Sequence, residues 1–476
     1  MNRSVALLLP LLFVLPSSPA DPRLKQEALA GVERRSAELV RLSDQVWEYA
    51  ETALRETRSA RLLAGYAEQQ GFRVTRGVAG LPTAFVAEFG AGPPVIGILG
   101  EYDALPGLSQ KTESARVPLL AGKPGHGCGH NMLGAASMGA AVALKDLIAA
   151  GRLKGTVRYY GTPAEEAVGG KVYMARDQVF RDVDVMLAWH PSDRTSADNG
   201  SSQALVDFAV EFHGKTAHAA FDPWNGRSAT HAAEAFVHGV NMLREQVRPT
   251  VRMHYTIAKA GEVPNVIADY AKVWMWVRDS RTAGIEPVLA RVRQIAQGAA
   301  LIAGVESKLS IQAGDYEILV NQAGTRMLHR NLAALGPLSY TDQEQEFARA
   351  IQRAVGIEER GMNGEVQPLK DPPPAEPAGG STDVGDVSWL VPTINLTVAT
   401  GVWNSPWHAW PVVATGGMSI GHKGMIYAAK ALAMTAVDLF TDSAARQAIR
   451  AEFVEKTRGF VYKPWIPDGP PPIPAP

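Results

Sequence analysis

The stretch VDFAVEFH (residues 206–213) decides how this chain is organised. Val206, Phe208, Val210 and Phe212 alternate with Asp207, Ala209, Glu211 and His213, the period-two pattern of a strand with one buried face. Upstream the pattern is different. Residues 95–99, 157–160 and 185–189 are short, predominantly apolar runs, as are residues 394–398 far downstream, and helical stretches such as residues 133–150 lie between them. Such runs separated by helices predict an α/β sheet covered on both faces. After residue 213 come a helical pattern over 228–245, alternating segments at 251–258 and 270–278, a second helical pattern over 286–303 and a last strand at 306–311. The order β-α-β-β-α-β is that of a ferredoxin-like α+β unit, here inserted into the larger domain. The expected boundaries are 21–203 and 317–463 for the two parts of the discontinuous domain and 204–316 for the insertion.

The flanks are separate in character. Residues 1–20 carry Arg3 ahead of an apolar run and end on small residues at Ser18 and Ala20, which reads as a secretory signal and implies a periplasmic or secreted protein. No other segment reads as long and apolar enough to cross a bilayer. Residues 464–476 contain seven prolines and are expected to be extended or disordered, and the Pro-rich residues 368–378 read as a surface loop. With 47 basic against 48 acidic residues the net charge is −1, which argues against nucleic acid or an anionic membrane as the main partner.

Cys128 is the single cysteine, so no intramolecular disulfide is available, and a lone thiol in an exported protein needs either burial or a metal to protect it. Its neighbours are suggestive. GHGCGHN (125–131) puts His126, Cys128 and His130 within five residues, borderline-soft donors suited to a zinc-like ion, and glycines at 125, 127 and 129 let the backbone approach a cation. The run 157–160 leads into Glu165 and Glu166, whose side chains in an extended loop would point opposite ways, one to metal and one to substrate. His190 follows the next apolar run, and His408 lies in a loop after the run 394–398. Each of these residues alone is more simply a packed or solvated side chain. Four donor-bearing segments, three of them following apolar strands, point together to a metal centre.

GEYDALPGLSQ (100–110), GHGCGHNMLG (125–134), PAEE (163–166), AWHP (188–191), GKTAHAAFDPWNGRSA (214–229), PNV (264–266), GSTDVGDVSW (380–389) and HKGM (422–425) together resemble the M20 metallopeptidase and amidohydrolase family. The resemblance covers nearly the whole chain between the signal and the Pro-rich tail. It implies a zinc-peptidase-like catalytic domain, a mixed sheet with helices on both faces, with an inserted ferredoxin-like lid that also forms a dimer interface. It implies Cys128, His130, Glu166, His190 and His408 as ligands of two divalent metal ions, zinc or manganese first, with cobalt and nickel also suited. Glu165 is implied as general base, and His218 as a donor to the substrate carbonyl oxygen reaching in from the partner subunit. Asn265, Arg278, Ser381 and Thr382 are the candidate substrate contacts, Arg278 for a carboxylate. Asp103 and His126 are supporting residues that orient ligands, and Glu101 stands open between ligand and support. The chain departs from the family's usual CGHD at Asn131, an amide that is not counted as a ligand.

The activity this implies is hydrolysis of an N-aroyl or N-acyl amino acid, an aminobenzoyl-glutamate-type amide first. The small-molecule substrate would be met by a homodimer, or by a heterodimer with another chain. The alternatives are a dipeptidase for a basic C-terminal residue and a non-catalytic partner subunit. The second is disfavoured because a dead subunit has no need of Glu165 beside a full ligand set.

Overall fold

The computed structural model describes residues 21–377 and 379–474, so the signal expected at 1–20 lies outside the described residues. Eleven strands fall into two sheets: β1 (Arg73–Arg76), β2 (Phe85–Gly90), β3 (Val95–Gly100), β4 (Thr156–Gly161), β5 (Val185–Ser192), β6 (Ser196–Asp198), β7 (Ala204–His213), β8 (Arg252–Ala260), β9 (Tyr270–Asp279), β10 (Glu306–Asp315) and β11 (Thr393–Ala399). The larger sheet has the order β1-β2-β4-β3-β5-β11-β6. Its centre, β4-β3-β5-β11, is parallel, while β1, β2 and β6 join antiparallel at the edges. Alternate residues of the central strands enter opposite cores: Ile96, Ile98, Tyr159 and Leu187 on one side, Leu99, Tyr160 and Met186 on the other. Both faces are therefore covered, as the apolar runs predict. All four parallel strands deliver their carboxyl ends to the same edge of the sheet.

The second sheet, β10-β7-β9-β8, is antiparallel throughout, the strand order of a ferredoxin-like unit. Helices Ala229–Leu243 and Thr282–Ala303 pack on one face, where Val206, Phe208, Val210 and Phe212 meet Phe236, Leu289 and Val292. The other face of β7 is covered rather than open to water, one of the two states the alternation allows. Asp207 and Ala209 are buried, and Asp207 Oδ1 accepts a hydrogen bond from Trp274 Nε1 at 2.6 Å. β8 is an edge strand paired only with β9, and most of its residues are exposed.

One expectation needs correction. Helix His130–Ala149 is long and apolar enough to span a bilayer, with an 18-residue window of mean hydropathy 1.4, yet 78% of that window is buried in the protein core. Its apolar character therefore serves packing. The described part of the Pro-rich tail is irregular but fastened. Trp465 is buried in the insertion's core, Pro471 packs at Gly80, and the Gly469 carbonyl accepts from Arg176.

Candidate active site

The four parallel strands place the donors. β3 ends at Gly100 and leads directly to Glu101 and Asp103, β4 leads to Glu165 and Glu166, β5 carries His190 near its end, and the loop after β11 carries His408. Cys128 and His130 arrive at the amino end of helix His130–Ala149. Gly129 makes that entry possible: its φ is 78°, and a Cβ there would lie 3.0 Å from Pro191 Cβ, so only glycine lets the helix start against the end of β5. Gly125 has a different role from the expected approach to a cation, since a Cβ there would strike the Leu108 carbonyl oxygen at 2.3 Å. His408, itself at φ 51°, is tied to this segment by its backbone N–H, which donates to the Gly127 carbonyl at 3.2 Å.

The five expected ligands converge as two overlapping sets. Donor atoms of Cys128, His130 and His190 lie within 4.8 Å of one another, and so do those of Cys128, Glu166 and His408. Cys128 belongs to both, and His130 and Glu166 also form a third set with Glu165, so the sets join into one cluster. Cys128 Sγ is 3.3 Å from His190 Nε2, and His408 Nε2 is 3.5 Å from Glu166 Oε2. Asp103 takes His130 Nδ1 at 3.0 Å with Oδ1 and the Glu166 backbone N–H at 2.9 Å with Oδ2, contacts that orient both residues. Asn131 is occupied elsewhere, its Nδ2 donating to Ser43 Oγ and to the Gly416 carbonyl. His126 holds the Val46 carbonyl at 3.0 Å and is thus a brace for the loop.

The donor chemistry fits divalent cations. Among the described residues, Glu101 Oε2, His130 Nε2 and Glu166 Oε1 are buried with no hydrogen-bond partner, a costly state that cations held in this cluster would relieve. Burial pushes the Cys128 thiol up to about 12 and Glu166 up to about 7, so the thiol holds a proton near neutral pH that ligation would displace, and Glu166 shares in this only in part. Glu165 is raised well above the carboxylate range by burial and by the nearby Glu101, Glu166 and Asp383 carboxylates. Residues 165–168 form a turn rather than the extended loop expected, entered through Ala164 at φ 62°. Alternation therefore does not separate the two glutamates, since both reach within 4.8 Å of the same His130 nitrogen. They differ in partners, because Glu166 also meets Cys128 and His408.

Three buried acid or base groups escaped the sequence reading. Lys171 is fully buried, with Nζ 2.6 Å from both Glu101 Oε1 and Asp383 Oδ1. The clue was a lysine in GGKVYM, where every neighbour is apolar or glycine. Glu56 accepts from the backbone N–H groups of Leu54 and Ala164 and from Thr83 Oγ1, so it fixes the turn that presents Glu165. Burial, then the Asp103 charge, lift Glu56 to about 8 from an ordinary 4.5. The folded state therefore binds a proton that the unfolded state has released between those values, and this group's contribution to stability falls as pH rises from about 4.5 to about 8. Glu56→Gln is expected to remove that part of the pH dependence and to leave the fold intact, which urea titrations at pH 5 and pH 8 would measure.

Arg278, near the end of β9, donates to Ser381 Oγ at 2.7 Å and so spans from the insertion to the GSTD loop, where Thr382 Oγ1 caps the Val384 N–H. His218 and Asn265 sit together: the Ala219 N–H donates to the Asn265 carbonyl, and both side chains are exposed. No hydrogen bond or ion pair among the described residues joins either of them to the metal-ligand cluster within one chain. His218 Nδ1 accepts from the N–H groups of Ala220 and Phe221, which leaves Nε2 to carry the ring proton and donate outward.

Residues 97–310 match the family model described as peptidase family M20/M25/M40. The chain is also 37% identical over 458 residues to a p-aminobenzoyl-glutamate hydrolase subunit of Escherichia coli (strain K12), covering 91% of this chain and 95% of that protein. The chain belongs to peptidase family M20. It is thus an enzyme that hydrolyses amide or peptide C–N bonds. A second M20 relative, the Xaa-Arg dipeptidase of Mus musculus, is 30% identical over 90% of this chain and 92% of its own length. The fold is also that of a dinuclear metal-binding M20 peptidase from Bacillus subtilis, with a TM-score of 0.59 at 20% identity over 86% of this chain and 99% of that one.

Proposed function

We propose that this M20 enzyme is an exported, two-metal amidohydrolase that cleaves an N-aroyl amino acid of the p-aminobenzoyl-glutamate type. The observation that carries the reading is the convergence of Cys128, His130, Glu166, His190 and His408 in two sets sharing one thiol, with Glu165 beside them. Two divalent cations held there, zinc or manganese in the first instance, would polarise the amide carbonyl and make water acidic enough to attack near neutral pH. Glu165 is placed to take the proton from that water and return it to the leaving nitrogen, and its raised pKa suits a group that must hold a proton between the two events. Arg278, already turned toward Ser381, offers a planar fork to the amino acid's carboxylate, and Thr382 borders the same loop. His218, with Nε2–H free, is the donor for the carbonyl oxygen, and Asn265 beside it completes the substrate contact from the lid.

His218 reaches the reacting carbonyl only if a second copy of the chain brings its lid over the site. The exposed edge of β8 is suited to pairing with its own copy, and Phe221 and Trp224, 80% and 72% exposed in the His218 loop, are large apolar surfaces for a partner to cover. A homodimer through the lid is therefore proposed. Export rests on the residues 1–20 alone.

A dipeptidase is the second reading, favoured by the mouse relative's near-equal coverage. Purified enzyme reconstituted with zinc or manganese, assayed on a panel of N-aroyl and N-acyl amino acids and dipeptides ending in Arg, separates the two. The expected result is highest kcat/KM on p-aminobenzoyl-glutamate. Preference for an Arg-terminated dipeptide would transfer the assignment to the second reading.

A further inference from the structure

His130 is held at Nδ1 by Asp103 Oδ1 at 3.0 Å, which assigns a ring proton to that nitrogen, and on the neutral ring Nε2 then keeps a lone pair. That lone pair faces Glu101 Oε2 at 3.2 Å, and neither atom has a hydrogen-bond partner. His130 is fully buried and Glu101 is 3% exposed, so water does not intervene to soften the encounter. Two acceptors opposed at this distance in a dry site repel each other unless positive charge stands beside both. The carboxylate cannot swing away. Its other oxygen, Oε1, is 2.6 Å from Lys171 Nζ, and Lys171 is locked in turn by Asp383, which takes Nζ with Oδ1 and the Lys171 backbone N–H with Oδ2.

We propose that Glu101 is a further ligand of the metal centre, presenting Oε2 alone beside His130 Nε2, and that Lys171 is the positioning residue that fixes its carboxylate. The proposal rests on the two-metal reading above and adds a sixth protein donor to it. By occupying Oε1, the ammonium restricts Glu101 to one coordinating oxygen and offsets its charge. Asp383 carries the same constraint to the GSTD loop, where Ser381 meets Arg278. The backbone that contacts substrate and the carboxylate that contacts metal thus share one buried cation.

The competing arrangement is a second proton on His130, with an imidazolium held between Asp103 and Glu101. The two make opposite demands on metal binding. If Glu101 serves to retain a proton, that proton must leave before a cation enters, and Glu101→Gln would bind metal as well as the wild type or better. If Glu101 is a ligand, Glu101→Gln weakens one site.

The test is a titration of the metal-free full chain with Zn²⁺ against a chromophoric chelator, together with the visible spectrum of the Co²⁺-loaded protein. Glu101→Gln is expected to lower the affinity of one site tenfold or more, with the second site and the circular dichroism unchanged, and to shift the Co²⁺ bands. Lys171→Met is expected to weaken the same site and Lys171→Arg to recover most of it. Should Lys171→Met fail to fold, the isosteric Glu101→Gln decides alone. Wild-type or tighter binding of both ions by Glu101→Gln would overturn the proposal while leaving the two-metal reading in place. A wild-type chain that binds no divalent cation would instead overturn both.

Discussion

Glu165→Gln is expected to abolish turnover while metal content stays near that of the wild type. The variant keeps shape and hydrogen-bonding capacity but cannot accept a proton from water, and positioned proton transfer is worth on the order of 10² to 10⁴ in rate. Glu166→Gln should behave differently, because Glu166 reaches the Cys128 and His408 donors as well as His130. It is expected to lose metal, with loss of activity as the consequence. Turnover numbers and metal analysis by mass spectrometry on the same preparations check both. Equal metal loss in the two variants, or wild-type turnover for Glu165→Gln, would show that the roles are wrongly divided. The comparison matters because both carboxylates lie within 4.8 Å of the same His130 nitrogen, so position alone does not separate base from ligand.

The second large effect is expected at His218, on the lid. Removing a preorganised donor to a developing oxyanion costs about 10²-fold or more in turnover, so His218→Ala should be nearly inactive yet folded and metal-replete. Mixing it with Glu165→Gln should restore activity, since a hybrid dimer contains one site with His218 from one copy and Glu165 from the other intact. Confirmed hybrid dimers as inactive as their parents would refute the cross-subunit assignment. The structural ground for the experiment is that the His218 ring is held within its own loop through Nδ1, while Nε2 has no hydrogen-bond partner among the described residues.

Most of the architecture was legible in the sequence because burial on one or two faces leaves different signatures. The runs at 95–99 and 185–189 are apolar because both faces of the parallel strands are covered, and 206–213 alternates because only one face meets helices. The flanking antiparallel strands β1, β2 and β6 gave weaker signals, being short or only partly buried, as RVTR in β1 illustrates. The burial of Asp207 was hidden because it depends on Trp274 across the sheet, a contact that no local pattern encodes. At the site, ligands were legible because three of the four donor-bearing segments lie at or after strand ends and each carries a distinctive donor. Lys171, Glu56 and Asp383 were not, since a buried charge is defined by partners 70, 108 and 212 residues away. The turn at Glu165 was missed because Ala164 adopts a left-handed conformation that its residue type does not announce.

The central claim is that this chain hydrolyses amides through cations held by Cys128, His130, Glu166, His190 and His408. It is tested most directly by stripping the purified enzyme of metal and following hydrolysis of p-aminobenzoyl-glutamate while Zn²⁺ or Mn²⁺ is added back. The account predicts no turnover in the stripped enzyme and recovery that saturates at two equivalents per chain, with no recovery in His190→Ala. Undiminished turnover after stripping, or equal recovery in His190→Ala, would contradict it.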